Sequence, residues 1–501
     1  MLKRNLIANF LGQGWGALMS LAFIPVFIRY LGMEAYGLIG LYAVLQSCLS
    51  ILDMGMAPTL LREMARFTGG QHNTKSIHDL LRSVEIIAVG ITIVIGVIAW
   101  ISSNWIAREW LRSNTLPIST VSHAFAIMGI VTALRIPEGI YRSSLLGLQR
   151  QTLFNILNGL MSTVRWVGAI VVLATISASI QAFFIWQVIA SLVTVAVFSI
   201  ATYHCLPATT RNGRFSLDSL KDVRSFATGI FGTSLLVLLL TQVDKIILSK
   251  ILPLQEYGYY TLASVVAGGL YLLVSPIIQA WSPRLSELHA RGDIDGMTKA
   301  YHLGAQIVSV LMGSAAIVLI VFTEPILFIW THDHELAQRS TQLVRLIAIG
   351  NLLNGLMWIP YQTQLAYGWT SLAIKINMVS VALIVPGILW ASPRFGALGA
   401  AWAWVFLNAG YVLVGIHFMH SRILPNEKRH WYFNDCILPL LGSLTAAMLV
   451  NTLSGTSEPW KLTLLISIGI ATTLLISSML APLVRAQIFS AISKLAAKPT
   501  I

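Results

Sequence analysis

Charge is scarce in this sequence. Asp, Glu, Lys and Arg make up 11% of its 501 residues, against about 25% in an ordinary soluble domain. Hydrophobic residues make up 56%, and the mean hydropathy is +0.74. A soluble core cannot absorb that much apolar surface over this length, so the chain reads as an all-α polytopic membrane protein. Cysteine is scarce too. Cys48, Cys205 and Cys436 are too few and too far apart for a disulfide framework or a metal cluster, which leaves packing roles. No Walker A loop is present, so nothing here cradles and hydrolyses ATP. No cleavable leader is legible either. "MLKR" opens an apolar run to about Ile28 with no small-residue cleavage site, which reads as a first span. "HDHE" at 332–335 has metal-like letters in a short loop and reads as a solvated polar turn, with no metal.

What is there in abundance is apolar runs. A spanning helix needs about 20 predominantly apolar residues. Fourteen segments qualify, at roughly 8–28, 36–58, 83–102, 121–141, 153–175, 179–203, 223–250, 256–280, 302–323, 341–366, 369–393, 395–417, 435–453 and 462–481. The connections are short. Orientation follows from the basic residues, which favour cytoplasmic loops. With the N-terminus inside, 21 of the 33 Lys and Arg fall in inside segments and 7 in outside segments. Both termini are therefore expected in the cytoplasm of a cell with this inner membrane. The net charge of +13 is mostly this bias, and no nucleic-acid partner is needed to explain it.

A repeat runs through the chain. Shifted by 221 residues, Tyr36–Gly37 falls on Tyr257–Gly258, Leu31 on Leu252, Leu41 on Leu262 and Val44 on Val265. Helices one to six and seven to twelve then form two lobes of like orientation, a transporter architecture with the substrate site between the halves. The expected division is an N-lobe over 1–203, a cytoplasmic linker over 204–222, a C-lobe over 223–420, and helices thirteen and fourteen with a tail over 421–501.

The stretch "LGMEAYGLIGLYAVLQSCLSILDMGMAPTLLREMARF" (31–67) resembles the opening of bacterial oligosaccharide-unit, or O-antigen, flippases of the Wzx type. These belong to the polysaccharide-transport branch of the multidrug/oligosaccharidyl-lipid/polysaccharide exporter superfamily. "LLGLQRQ" (145–151), "IQAFFIWQVIAS" (180–191) and "FGALGAAWAWV" (395–405) are similar to that family's fourth, sixth and twelfth helices. The resemblance covers about the whole chain. It implies two pseudo-symmetric six-helix lobes around a central cationic cavity, plus two C-terminal helices. It further implies a substrate, an undecaprenyl-pyrophosphate-linked oligosaccharide, moved across the bilayer by alternating access. A polysaccharide polymerase and a chain-length regulator are implied as partners, and a proton or sodium ion as the coupling ion, with no cofactor.

Five cations fall within the predicted spans: Arg135, Arg165, Lys245, Arg345 and Lys375. Each costs about 2.5–3.5 kcal/mol on insertion scales, so each is expected to face a cavity or a partner. Facing inward, they would form a track for a pyrophosphate headgroup, which arginine can bind with paired N–H donors. Snorkelling to an interface is the competing reading for Arg135, Lys375 and Arg345. Asp53, Glu138 and Asp244 are acids at span depth, candidates for a coupling ion or for counter-charge. Arg135 and Glu138 are three apart and can pair on one helix face. Asp244 and Lys245 are adjacent, point about 100° apart on a helix, and are expected to need separate partners, with Arg345 the candidate for Asp244. Candidate sugar contacts are Asn9, Gln13, Gln46, Asn155, Asn158, Gln242, Asn351, Asn354, Asn377 and Asn408. Trp15, Trp166, Trp186, Trp358 and Trp404 are candidate stacking platforms. Interhelical hydrogen bonding and interface anchoring are the competing uses.

Enzyme classes fit poorly. A membrane glycosyltransferase or polymerase would be expected to carry a large outside loop, and the longest here are about 103–120 and 324–340. A drug/cation antiporter is disfavoured by the excess of span cations over span acids. A lipid II flippase shares the fourteen-helix expectation and is disfavoured because "GMEAYGLIG" (32–40) and "GLQRQ" (147–151) look more like the polysaccharide branch.

Overall fold

The computed structural model describes residues 14–16, 18–49, 55–71, 73–207, 213–216, 238, 241–452 and 458–496. Those residues are almost entirely helical; a lone bridge, Arg112 to Pro253, is the extended pairing among them. Eleven helices among the described residues are long and apolar enough to cross a membrane. They become twelve if Leu254–Gly268 and Tyr271–Ala290, bent by 41°, count as one span. This is a multi-pass membrane protein. The expected count of fourteen is not reached here, because the spans at 36–58 and 223–250 run over residues outside the described set.

The chain divides into two compact units, Met1–Gly258 and Tyr259–Ile501. In the first, α1 (Ile24–Leu31) leads through Gly32 into α2 (Met33–Leu49), followed by α3 (Met56–Thr68) and the long α4 (Thr74–Trp105). Asn73 starts α4 by accepting a hydrogen bond from the Ser76 amide at 2.7 Å, which satisfies one of the free donors at a helix start. Then come α5 (Ile118–Ala133), α6 (Arg135–Gly147), α7 (Gln151–Thr175) and α8 (Ile180–Cys205). The apolar faces of α3, α4, α5 and α6 meet in one cluster that includes Leu60, Met64, Ile77, Leu81, Ala133 and Ile140.

The predicted fourth span is not one straight helix. It breaks at Leu134, between α5 and α6, and Pro137 explains why. A proline has no N–H to give the carbonyl four residues back, that of Ala133. Thr92 on α4 fills the vacancy, donating its hydroxyl to the Ala133 oxygen at 3.1 Å. In a membrane such a carbonyl must find a donor within the protein.

The repeat offset reappears as a contact. A Cβ on Gly37 would sit 2.3 Å from the Leu254 carbonyl oxygen, and one on Gly258 would sit 2.5 Å from the Met33 oxygen. Met33 and Leu254 are themselves 221 residues apart, as are the two glycines. Each turn thus presses its glycine onto the other's opening carbonyl. Gly258→Val is expected to destabilise the protein by about 1–3 kcal/mol through overpacking. Melting of the detergent-solubilised protein measures this. Gly387→Ala, where a Cβ meets nothing within 4 Å, should leave the melt close to wild type.

The second unit continues with α9 (Leu254–Gly268), which begins in the first, then α10 (Tyr271–Ala290) and α11 (Ile294–Val321). After α12 (Thr323–Thr331) come α13 (His334–Leu356), α14 (Trp358–Ala366), α15 (Thr370–Phe395) and α16 (Ala397–Gly410). A π turn (Tyr411–Gly415) leads to α17 (Ile416–Arg422) and the single turn α18 (Lys428–His430). A second π turn (Trp431–Ile437) opens α19 (Leu438–Thr452), and α20 (Pro459–Leu480) and α21 (Pro482–Ala496) complete the unit. Phe322, Val318 and Ala447 join α11 to α19 in the core. The "HDHE" turn behaves as a cap: Asp333 accepts from the Leu336 amide at 3.0 Å, and His334 stacks on Phe328.

Candidate functional site

The break at Leu134 turns α6 so that Arg135, Glu138 and Arg142 follow one another along a single helix face. Glu138 is 1% exposed. Arg135 Nη1 donates to its Oε1 at 2.9 Å, and Arg142 Nη2 lies 3.0 Å from the same oxygen. From α7, Arg165 Nη2 reaches Glu138 Oε2 at 3.3 Å. Arg165 is itself 5% exposed. Trp186 on α8 fixes its backbone by donating Nε1 to the Arg165 carbonyl at 3.0 Å, and Arg142 also donates to Asn158 Oδ1 at 2.6 Å.

Three guanidiniums around one carboxylate leave the cluster with an excess of two positive charges. Its donors are not used up. Arg165 Nη1, Arg135 Nε and Arg142 Nε are buried without a hydrogen-bond partner. Among the sugar candidates, Gln46 on α2 also has a buried, unpartnered Nε2. Buried donors left unmade are costly, roughly 1–3 kcal/mol each. A net cationic cluster with spare N–H groups is chemically complementary to a multivalent oxyanion, which arginine receives through parallel hydrogen bonds.

The second unit holds a polar aromatic network. Tyr271 donates its hydroxyl to Asn351 Oδ1 at 3.2 Å and Asn354 Oδ1 at 3.1 Å. Trp404 donates to Asn351 at 2.9 Å, Trp358 to Asn354 at 3.2 Å, and Asn354 Nδ2 to Asn408 Oδ1 at 2.8 Å. Tyr271 and Trp358 stack with ring centroids 5.8 Å apart. A separate cleft of about 1510 Å³ lies among α15, α16 and α17, lined by Trp390, Trp402 and Phe406 with Lys375, Arg394 and Arg422.

Of the five span cations, the structure thus brings Arg135 and Arg165 together through Glu138. Lys375 is exposed on that cleft wall. Arg345 is exposed and donates Nε to the Ile320 carbonyl at 2.9 Å. Lys245 donates to the Thr241 carbonyl at 3.0 Å. The expectation that Asp244 and Lys245 cannot pair is corrected: Lys245 Nζ lies 3.7 Å from Asp244 Oδ1. Adjacent Cβ vectors diverge, but the four-carbon lysine stem folds back across the difference.

Among the sugar candidates, Asn351, Asn354 and Asn408 meet in the network above. Asn155 is buried and bonds its own helix, donating to the Gln151 carbonyl at 2.9 Å. Gln242 reaches Thr241 at 3.5 Å, and Asn377 is half-buried on α15. Asn9, Gln13 and Asp53 lie outside the described residues. Trp15 donates to Thr163 Oγ1 at 2.9 Å, and Trp166 packs on Phe27. Sequence reasoning missed Arg142, assigning it to a loop. The signal was present: it stands four residues after Glu138, one helical turn. Tyr271 was missed as well, with no motif to mark it.

The fold is similar to that of solved transporters of the multidrug/oligosaccharidyl-lipid/polysaccharide exporter superfamily. A solved inward-closed lipid II flippase MurJ is similar over 95% of this chain and 98% of that one, with TM-score 0.71 and 14% identity. An inward-facing multidrug resistance transporter of the same superfamily is similar over 81% and 94%, with TM-score 0.66 and 12% identity. The particular family is fixed by sequence. Residues 2–289 match the family described as polysaccharide biosynthesis protein, and the chain belongs to it; residues 230–390 also match the MatE family. A Shigella flexneri protein named as an O-antigen transporter is 21% identical over 407 residues, 80% of this chain and 93% of that protein.

Proposed function

We propose that this chain flips an undecaprenyl-pyrophosphate-linked oligosaccharide repeat unit from the cytoplasmic to the periplasmic leaflet of the inner membrane. It does so by alternating access, with both termini cytoplasmic. The observation that carries the reading is the Arg135–Arg142–Arg165 cluster around Glu138, cationic by two charges within apolar spans and with buried donors to spare. A pyrophosphate bridge carries one negative charge on each phosphorus and presents oxygens to those donors. The tail stays in lipid. The asparagine and tryptophan network around Asn351 and Asn354 has the chemistry that sugar hydroxyls and sugar faces require. Asp244 and Asp53 are the candidates for a coupling proton or sodium ion, and Glu138 serves as counter-charge. Product delivered outside would pass to a polymerase and a chain-length regulator.

A lipid II substrate is the second reading, favoured by the fold match to MurJ; its headgroup carries the same pyrophosphate. A cationic drug is disfavoured by the sign of the cluster. Deleting the gene separates these readings. The proposal expects lipid-linked repeat units to accumulate in the inner leaflet and surface polysaccharide to disappear, while peptidoglycan synthesis continues. Accumulated lipid II with intact surface polysaccharide would overturn it in favour of the second reading.

A further inference from the structure

We propose that His302, Glu427 and His430 form a binding site for one divalent transition-metal ion of the zinc class, clamping the C-terminal helices onto α11. The ligand atoms of these three residues all lie within 4.8 Å of one another. His302 stands on α11. Glu427 immediately precedes α18, and His430 ends it. His302 Nε2 is 3.1 Å from Glu427 Oε2, and the His430 ring lies edge-on to the His302 ring with centroids 4.3 Å apart. With ligand bonds of about 2.0–2.2 Å, a tetrahedral ion needs these atoms roughly 3.3–3.5 Å apart, a small adjustment for atoms that all stand within 4.8 Å of one another.

The surroundings are built as metal sites are built. Asp435, 0% exposed, accepts a hydrogen bond from His302 Nδ1. That contact commits the Nδ1 proton and turns the Nε2 lone pair toward Glu427. A carboxylate behind a ligating histidine fixes the ring and makes it a better donor. Asp435 is in turn held by Gln306, whose Nε2 donates to Oδ1 at 2.8 Å. The Gln306 orientation is set by the backbone, since its Oε1 accepts from the Leu483 amide at 2.8 Å. The chain of contacts therefore runs from the start of α21 through α11 to the second π turn and ends at the open edge of His302.

The donor set selects the ion. Two imidazoles and one carboxylate suit zinc and its neighbours, whereas calcium and magnesium require oxygen throughout. Access is from water: the Glu427 and His430 side chains are 34% and 41% exposed. The neighbouring cation Lys428 is turned aside, with Nζ 3.1 Å from His417 Nδ1. Three protein ligands leave a fourth position for water.

The test uses the full-length protein in detergent, carrying an affinity tag without histidine, dialysed with zinc chloride. About one zinc per chain is expected by elemental analysis, with a rise in melting temperature that chelator reverses. His430→Ala and Glu427→Gln should lower zinc affinity by tenfold or more while melting like wild type in chelator. Asp435→Asn should weaken binding about 10–100-fold. Should His302→Ala fail to fold, the half-exposed His430 variant carries the test. Wild-type protein that retains less than a tenth of a zinc per chain overturns the site, as does His430→Ala that binds like wild type. A melt that follows pH between 5 and 8 in chelator and ignores zinc assigns the cluster to a proton and equally overturns the metal.

Discussion

Arg165→Ala is expected to abolish surface polysaccharide while the protein remains at wild-type abundance. Glu138 keeps Arg135 and Arg142 as partners, so no acid is stranded and the fold survives. What is lost is the most buried guanidinium of the cluster and the unpartnered Nη1 it offers. Hydrogen bonds to charged groups are worth about 1.5–3 kcal/mol each, and every 1.4 kcal/mol is about tenfold. Two such bonds to a pyrophosphate put the transport loss at roughly 10²-fold or more. Complementation of a deletion strain, read with immunoblotting for abundance, measures it. Arg165→Lys should recover part of the loss, because the ammonium keeps the charge but not the planar fork of donors. Full complementation by Arg165→Ala would remove the headgroup role.

Glu138→Ala is expected to fail earlier, at the protein itself. Three guanidiniums would remain in an apolar interior with no carboxylate between them. Breaking a buried ion pair by removing one partner costs about 3–5 kcal/mol, a large share of a typical stability of 5–15 kcal/mol. Abundance should collapse. The double variant Glu138→Gln, Arg142→Gln restores the original excess of two charges without the acid, and abundance should recover in part. A Glu138→Ala protein that accumulates and melts like wild type would show that the arginines are not held by it.

The sequence exposes the membrane class, most spans and the cations of the cluster, because hydropathy, proline and charge are local properties. The Arg135–Glu138 pair was legible for the same reason: both residues lie on one turn. Arg165 was legible as a deep cation, but its partner stands 27 residues away, across a helix pair whose packing no periodicity reveals. Arg142 was hidden by a boundary, since α6 runs on to Gly147 past the predicted end at 141. The His302–Asp435 contact joins residues 133 apart, each at the opening of a predicted span, and no local pattern ties one span's first residue to another's. Asp244 and Lys245 were misjudged because helical-wheel angles describe Cβ directions and not the reach of a long side chain.

The reciprocal contact of Gly37 with Leu254 and Gly258 with Met33 has the form of an isologous interface, in which residue i meets j and j meets i. At both positions the obstacle is a backbone carbonyl and not the yielding end of a side chain, so the two glycines are expected to be equally intolerant of any larger residue, and Gly37→Ala should lower the melt as a change at Gly258 does.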